Sequence, residues 1–220
     1  QNPRILKLEN ETVMLTQDIY DFWRPVGHEY PMVDGPLSNE TYVQSFQKVW
    51  TRYQEKYQRH LTDFAALAFH IPYTKMGKKA LLAILENETE GEQTRMLEQY
   101  EASVTYSRRV GNLYTGSLYL GLISLLENSN SLQANQRIGL FSYGSGAVCE
   151  LFSGLLVEGF ETYLEKDAHL ALLENRQPLS MADYETMFAD DLDTAITASF
   201  DDLTPFSIQH IENTIRVYRE

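Results

Sequence analysis

The sequence predicts an α/β domain, and three stretches carry that prediction. Ala65 to Phe69 is an apolar run of strand length, broken at Pro72 and followed by a helical pattern from Thr74 through Leu81, Leu82 and Leu85. Leu118 to Leu126 is apolar almost all round, as a helix inside a layered domain is. Ile138 to Tyr143 reads as a strand, Gly144-Ser145-Gly146 as a turn, and Val148 to Val157 as a second extended segment.

The bulk numbers narrow the class. The chain has 220 residues with 43% hydrophobic content, enough for one large domain or a core with a smaller appendage. Net charge is -13, from 18 basic and 31 acidic residues, which disfavours a nucleic-acid partner. No apolar run approaches the length of a membrane span. The first residues lack the apolar core of a signal peptide, and the absence of an initial Met suggests an internal start, as in a processed or split polypeptide. The single cysteine, Cys149, excludes an intrachain disulfide and CxxC-based zinc sites, and fits a reducing compartment.

In chain order, Arg4 to Leu8 and Thr12 to Leu15 read as two short extended segments. Asp18 to Pro25 interleaves charge with Tyr20, Phe22 and Trp23: either a loop covering a pocket or a surface loop pinned by its aromatics. Ser38 is a candidate N-cap for a helix in which Tyr42, Phe46, Val49, Trp50 and Tyr53 share one face. That stripe is core packing before it is a cofactor box.

His70 then sits at a strand end just ahead of a helix capped by Thr74, the place where open α/β sheets bind ligands. A hydrogen-bonded structural histidine is the plain alternative. Lys75, Lys78 and Lys79 follow within five residues, an exception in an acidic chain. They suggest a bound anion such as a phosphate, or else a solvated helix face.

A second helix is expected over Glu92 to Tyr106 with Met96, Leu97 and Tyr100 inward. Gly111 and Gly116 bracket Asn112, either a turn residue or an amide aimed at a carbonyl oxygen. Gly116, Ser117, Gly121 and Ser124 allow close approach of a neighbouring element to the apolar helix. The glycines around Ser145 leave backbone N–H groups open to a ligand. Ser145 is not a nucleophile-elbow serine, because Tyr143 and Ala147 stand where that motif needs glycine. Cys149 reads as a buried, inert thiol rather than a reactive one. Phe160 to Leu173 looks helical, Ser180 caps a short helix through Phe188, Asp190 to Asp202 is an acidic surface segment, and Ser207 to Tyr218 is a closing strand or helix, with β-branched content favouring strand.

Three groups of motifs together resemble one family. They are Tyr20-Asp21-Phe22-Trp23-Arg24-Pro25 with Tyr30-Pro31-Met32-Val33-Asp34-Gly35; Phe69-His70-Ile71-Pro72-Tyr73-Thr74-Lys75-Met76-Gly77-Lys78-Lys79-Ala80; and Gly111-Asn112-Leu113-Tyr114-Thr115-Gly116-Ser117 with Gly139 to Ala147. They resemble hydroxymethylglutaryl-CoA synthase of the Gram-positive coccus type, over the whole 220 residues but only its C-terminal part. The resemblance implies a thiolase-like layered fold, with this chain as one C-terminal βαβαβ half carrying a helical insertion. It implies a cytoplasmic homodimer of the mevalonate pathway that joins acetyl-CoA, acetoacetyl-CoA and water into hydroxymethylglutaryl-CoA and CoA. No cofactor is implied, since the CoA thioesters are substrates.

In that family the acetylated cysteine and the acid/base glutamate belong to the N-terminal half, so this chain would need that half as a partner, as a separate chain or otherwise. By resemblance His70 holds the acetoacetyl-CoA thioester carbonyl, and a hydrogen bond donated there makes the group more electrophilic. Asn112 and Ser145 match residues that contact the acetoacetyl group or the intermediate. Tyr143 and Phe22 match pocket residues, Asp21 sits beside Phe22 in the family's Asp-Phe pair and is counted with the substrate-binding residues, and Lys75 and Lys79 match basic residues near the CoA phosphates and pantetheine entrance, with Lys78 competing. Cys149 takes no nucleophile role. A β-branching synthase fed by a carrier protein, and a non-catalytic acyl-CoA-binding module, are the alternative readings.

Overall fold

The computed structural model describes residues 5–190, 198–204 and 206–219. Arg4, and residues 191–197 of the expected acidic segment, lie outside the described residues. The chain divides into two compact units, residues 1–173 and 174–220.

The larger unit is built on a four-stranded sheet in the order β1-β6-β5-β4, comprising β1 (Leu6–Thr16), β4 (Phe64–Phe69), β5 (Arg137–Gly144) and β6 (Val148–Leu156). The two extended segments expected at the start are one strand, β1, whose pairing with β6 shifts between Leu8 and Thr12. That irregularity is the gap that the sequence pattern shows. A two-strand ribbon, β2 (Phe22–Trp23) with β3 (Met32–Val33), follows β1.

Helix α1 (Gly35–Tyr57) starts three residues before Ser38. Its N-cap is Asp34, whose Oδ1 accepts from Leu37 N–H at 3.1 Å. Pro36 explains the choice: a residue without an N–H fits the first turn, whose donors are orphaned anyway. The aromatic face is core. Tyr42, Phe46, Val49, Trp50 and Tyr53 are all buried, and the Phe46 ring lies 5.0 Å from both Phe69 and Phe141 of the sheet. Each large side chain so buried stabilises by about 2 kcal/mol.

Strands β4 and β5 are parallel, and the crossover between them carries α2 (Thr74–Leu85), α3 (Glu90–Ser103) and α4 (Gly116–Asn128). Helix α2 begins at Thr74, but Tyr73 is its N-cap residue and no side chain caps it. Thr89 caps α3 by accepting from Glu92 N–H. Helix α4 is not apolar-buried all round: Ser117, Leu118, Gly121, Ser124 and Leu125 face inward, while Tyr119 and Ile123 are exposed. Small residues on the inward face let Gly121 lie against the backbone of Phe69 and Ser103, as their pattern suggests.

After β6 the expected single helix is two pieces, a 3-10 turn over Phe160–Tyr163 and α5 (Lys166–Glu174). The break falls where the buried Glu127 carboxylate of α4 accepts from Glu165 N–H at 3.0 Å and bonds His169 Nδ1 at 2.8 Å. Tyr106 donates to the same carboxylate, and its own phenol is pushed up to about 12, chiefly by desolvation.

The smaller unit holds α6 (Met181–Ala189), capped by Ser180 as expected, and a three-stranded sheet β7-β8-β9, made of β7 (Ala198–Ser199), β8 (Ile208–Glu212) and β9 (Ile215–Tyr218). The expected closing strand is therefore a hairpin. Among the described residues no helix is long and apolar enough to cross a membrane.

Candidate functional site

Parallel pairing puts the C-terminal ends of β4 and β5 on the same side of the sheet. His70 leaves one end and the Gly144-Ser145-Gly146 turn leaves the other. The ladder runs one step beyond β4: His70 N–H donates to Phe141 O at 2.7 Å. From the opposite side Tyr42 of α1 donates its hydroxyl to His70 O at 2.6 Å. The backbone of His70 is therefore fixed twice.

Its ring is fixed as well. His70 Nδ1 lies 3.2 Å from Ser117 Oγ at the start of α4, and the same oxygen accepts from Ile71 N–H at 3.0 Å. Burial holds the imidazole below the usual histidine range, so the ring is neutral at pH 7.

A cleft of ≈ 480 Å³ opens here, lined by Phe22, Tyr42, His70, Asn112, Tyr143 and Ser145, with Asn39, Tyr73 and Met76 toward α1 and α2. Five residues singled out in the sequence thus come together: His70, Asn112, Ser145, Tyr143 and Phe22. Asn112 is a turn residue that also lines the cleft. Its Oδ1 accepts from Tyr114 N–H at 2.7 Å in a tight turn, which leaves the amide NH₂ as the group available to the cleft.

Asp21 does not line the cleft. It is fully buried behind it, accepting from Tyr143 OH at 3.1 Å and from Gly146 N–H at 3.0 Å. Desolvation and that neighbouring acid raise the Tyr143 phenol well above its ordinary value, so it stays protonated and donates. Ala147 N–H is also spent, on Gln17 O at 2.6 Å. Two of the backbone donors expected to be open around Ser145 therefore serve the chain itself, because the segment 17–21 continues β1 along this turn.

The lysines separate. Lys78 is paired with Glu101 at 2.9 Å and does not line the cleft. Lys79 reaches the rim, 3.4 Å from both Asn39 Oδ1 and the Tyr73 hydroxyl, while Tyr73 OH donates to Asn39. Lys75 is exposed on the first turn of α2. Cys149 is buried in β6, and desolvation pushes its thiol up to about 11. The sequence gives no signal for Tyr42 or Ser117 as site residues: both fall in patterns that read as packing.

The family description "Hydroxymethylglutaryl-coenzyme A synthase C terminal" matches residues 10–101 and 92–200. The chain belongs to the hydroxymethylglutaryl-CoA synthase family. It is 64% identical over 217 residues, 99% of its length, to the Enterococcus faecalis hydroxymethylglutaryl-CoA synthase, and spans 57% of that relative. A crystal structure of a hydroxymethylglutaryl-CoA synthase complexed with CoA superposes with a TM-score of 0.91 at 43% identity, over 100% of this chain and 58% of the other. The hydroxymethylglutaryl synthase of the curacin biosynthetic pathway shares the fold, with a TM-score of 0.83 at 23% identity over 99% of this chain and 59% of its own. The synthase fold is thiolase-like, as the motifs imply, and the chain covers somewhat more than half of these relatives.

Proposed function

We propose that this chain forms the acetoacetyl-CoA side of a hydroxymethylglutaryl-CoA synthase, which condenses acetyl-CoA, acetoacetyl-CoA and water to hydroxymethylglutaryl-CoA and CoA in the mevalonate pathway. The observation that carries the reading is the convergence of His70, Asn112 and Ser145 on one cleft, at the shared end of two parallel strands. His70 and the Asn112 amide donate hydrogen bonds to the oxygens of the acetoacetyl thioester and of the developing intermediate. Tyr143 and Phe22 wall the acyl group, and Asp21 holds the wall in place. Lys79 and Lys75 stand where the phosphates of CoA enter.

The acetylated cysteine and the acid/base glutamate are supplied by the N-terminal part of the enzyme, and the whole acts as a cytoplasmic homodimer without a bound cofactor. The test is His70→Ala in the complete enzyme, this sequence joined to the N-terminal part that full-length family members carry. We expect a condensation rate lower by about a hundredfold, with acetyl transfer to the enzyme intact. Equal loss in both half-reactions sinks the role. A preference for carrier-bound acetoacetate over acetoacetyl-CoA would instead assign the cleft to β-branching.

A further inference from the structure

We infer that Ser117 sets the tautomer of His70, holding the ring with its hydrogen on Nε2 so that the cleft receives a donor. Ser117 is thereby a positioning residue for the acyl-carbonyl contact, and this role rests on the proposed function of the cleft.

The argument is a count of hydrogens. A serine hydroxyl has one hydrogen to give and two lone pairs to accept with. The Ser117 side chain is buried, at 3% exposure. One lone pair is taken by Ile71 N–H at 3.0 Å. That N–H is not negotiable: it belongs to the residue between His70 and Pro72, on a buried backbone past the end of β4. The remaining contact of Ser117 Oγ is His70 Nδ1 at 3.2 Å.

Two assignments of that contact exist. If Nδ1 carries the hydrogen, Ser117 accepts twice, and its own hydrogen is buried with no acceptor among its hydrogen bonds. If Nδ1 is bare, Ser117 donates to it and every polar hydrogen has a partner. The second assignment puts the hydrogen of a neutral ring on Nε2. Burial of His70 disfavours the doubly protonated ring that would escape the choice. Nε2 has no hydrogen-bond partner among the described residues, while His70 lines the cleft, so Nε2–H is the donor offered to a ligand. Tyr42 and Phe141 hold the His70 backbone, and the Ser117 contact orients the ring on it.

Ser117 is well placed for this duty. It occupies the first turn of α4 with its own N–H given to Tyr114 O at 3.0 Å. The helix start and the strand end are thus joined through one hydroxyl, and the turn containing Asn112 lies just ahead of it. Tautomer, ring orientation and the position of the second donor are consequently set by one short stretch of chain.

The experiment is two-bond ¹H–¹⁵N correlation spectroscopy of the complete enzyme labelled with ¹⁵N-histidine at neutral pH. The His70 signals are assigned by their loss in His70→Gln. We expect a bare, pyridine-type Nδ1 and a hydrogen-bearing, pyrrole-type Nε2. Ser117→Thr retains the hydroxyl and the same signature. Ser117→Ala moves the ring toward the Nδ1–H form and lowers the condensation rate about tenfold, with acetyl transfer to the enzyme unchanged. A hydrogen on Nδ1 in the unaltered protein overturns the inference, and so does a folded Ser117→Ala protein with an unchanged spectrum. If Ser117→Ala does not fold, the spectra of the unaltered protein and of Ser117→Thr decide alone. A Ser117-dependent Nε2–H signal in an enzyme whose condensation survives His70→Ala upholds the tautomer assignment and removes the proposed function instead.

Discussion

The Asp21 carboxylate and the Tyr143 phenol, 122 residues apart in the chain, meet at 3.1 Å behind the cleft. Asp21 also takes Gly146 N–H at 3.0 Å, so one buried side chain ties the start of the β2 ribbon to both flanks of Ser145. Replacing Asp21 by Ala strands the Tyr143 hydroxyl in the interior and takes the partner from Gly146 N–H on its exposed turn. Each buried polar group left without a partner costs about 1–3 kcal/mol, so Asp21→Ala loses up to about 3 kcal/mol of stability. Asp21→Asn keeps one acceptor oxygen and loses about half of that. Urea unfolding of the three proteins checks the order, and a loss below about 1 kcal/mol in Asp21→Ala would remove its role as a tie.

Gly77 presents a different contest. It lies inside α2, where Gly→Ala ordinarily gains about 1 kcal/mol of helix propensity. A Cβ there would sit 2.8 Å from the Tyr100 ring and 3.0 Å from Phe69 Cβ. Tyr100 cannot swing aside, because its hydroxyl donates to Thr74 O at 2.6 Å and its ring packs on Phe69. Overpacking of a rigid core costs about 1–3 kcal/mol, so it outweighs the propensity gain. Gly77→Ala lowers the melting temperature, whereas Gly91→Ala, with nothing within 4 Å, does not. Thermal melts of the two variants read the difference directly.

How far the site is legible in the sequence follows from what each residue needs. His70 is legible because an apolar run breaks at Pro72, and Asn112 and Ser145 because glycines frame them. Tyr42 is not: it repeats with Phe46 and Val49 on one helical face, and its bond to His70 O exists only once α1 lies on the sheet. Ser117 hides likewise among the small residues of an apolar helix. Asp21 carries no local signal and enters through the family motif. In the smaller unit the β8–β9 hairpin turns on Asn213 and Thr214, both at positive φ. A turn with positive φ at both positions normally shows Asn-Gly, and a β-branched Thr conceals it. Ser38 is the cap that the sequence suggests, and Asp34 takes the place instead because Pro36 suits the first helical turn.

The three lysines of α2 are expected to differ in function. Lys79 stands at the rim beside Tyr73 and Asn39, Lys75 is exposed, and Lys78 is engaged with Glu101, which also binds Arg108. An exposed charge contact is worth about 1 kcal/mol, so Lys79→Gln raises the KM for acetoacetyl-CoA about fivefold at low salt. The effect shrinks as ionic strength rises and the charges are screened. Lys78→Gln leaves KM unchanged and costs a little stability. Steady-state kinetics of both variants at two salt concentrations test the division, and equal KM effects would refute it.

Cys149 is the one thiol in this sequence, and its surroundings argue against a use in acyl chemistry. The thiol lies in β6 at 2% exposure, opposite Tyr143 in the sheet register, with Sγ 4.0 Å from Ser45 O. Desolvation raises its pKa from 9.0 to about 11. An unshifted thiol would be about one-tenth thiolate at pH 8; at 11 the fraction is about a hundredfold smaller. Only the thiolate attacks, so in the folded protein Cys149 reacts with iodoacetamide slower by at least that factor, and burial slows it further. The direction with pH is fixed by the same shift. The unfolded thiol loses its proton near 9 and the folded one near 11, so this group's contribution is constant below pH 9 and stability falls between the two values. Peptide mapping after a brief pulse of iodoacetamide at pH 8 should leave Cys149 unlabelled in the native enzyme and labelled in urea. Exposing the complete enzyme to [¹⁴C]acetyl-CoA should leave the peptide containing Cys149 without radiolabel, and Cys149→Ala should retain acetyl transfer. A stable thioester recovered on Cys149 would reverse that assignment and make this chain, not the proposed N-terminal part, the acyl carrier.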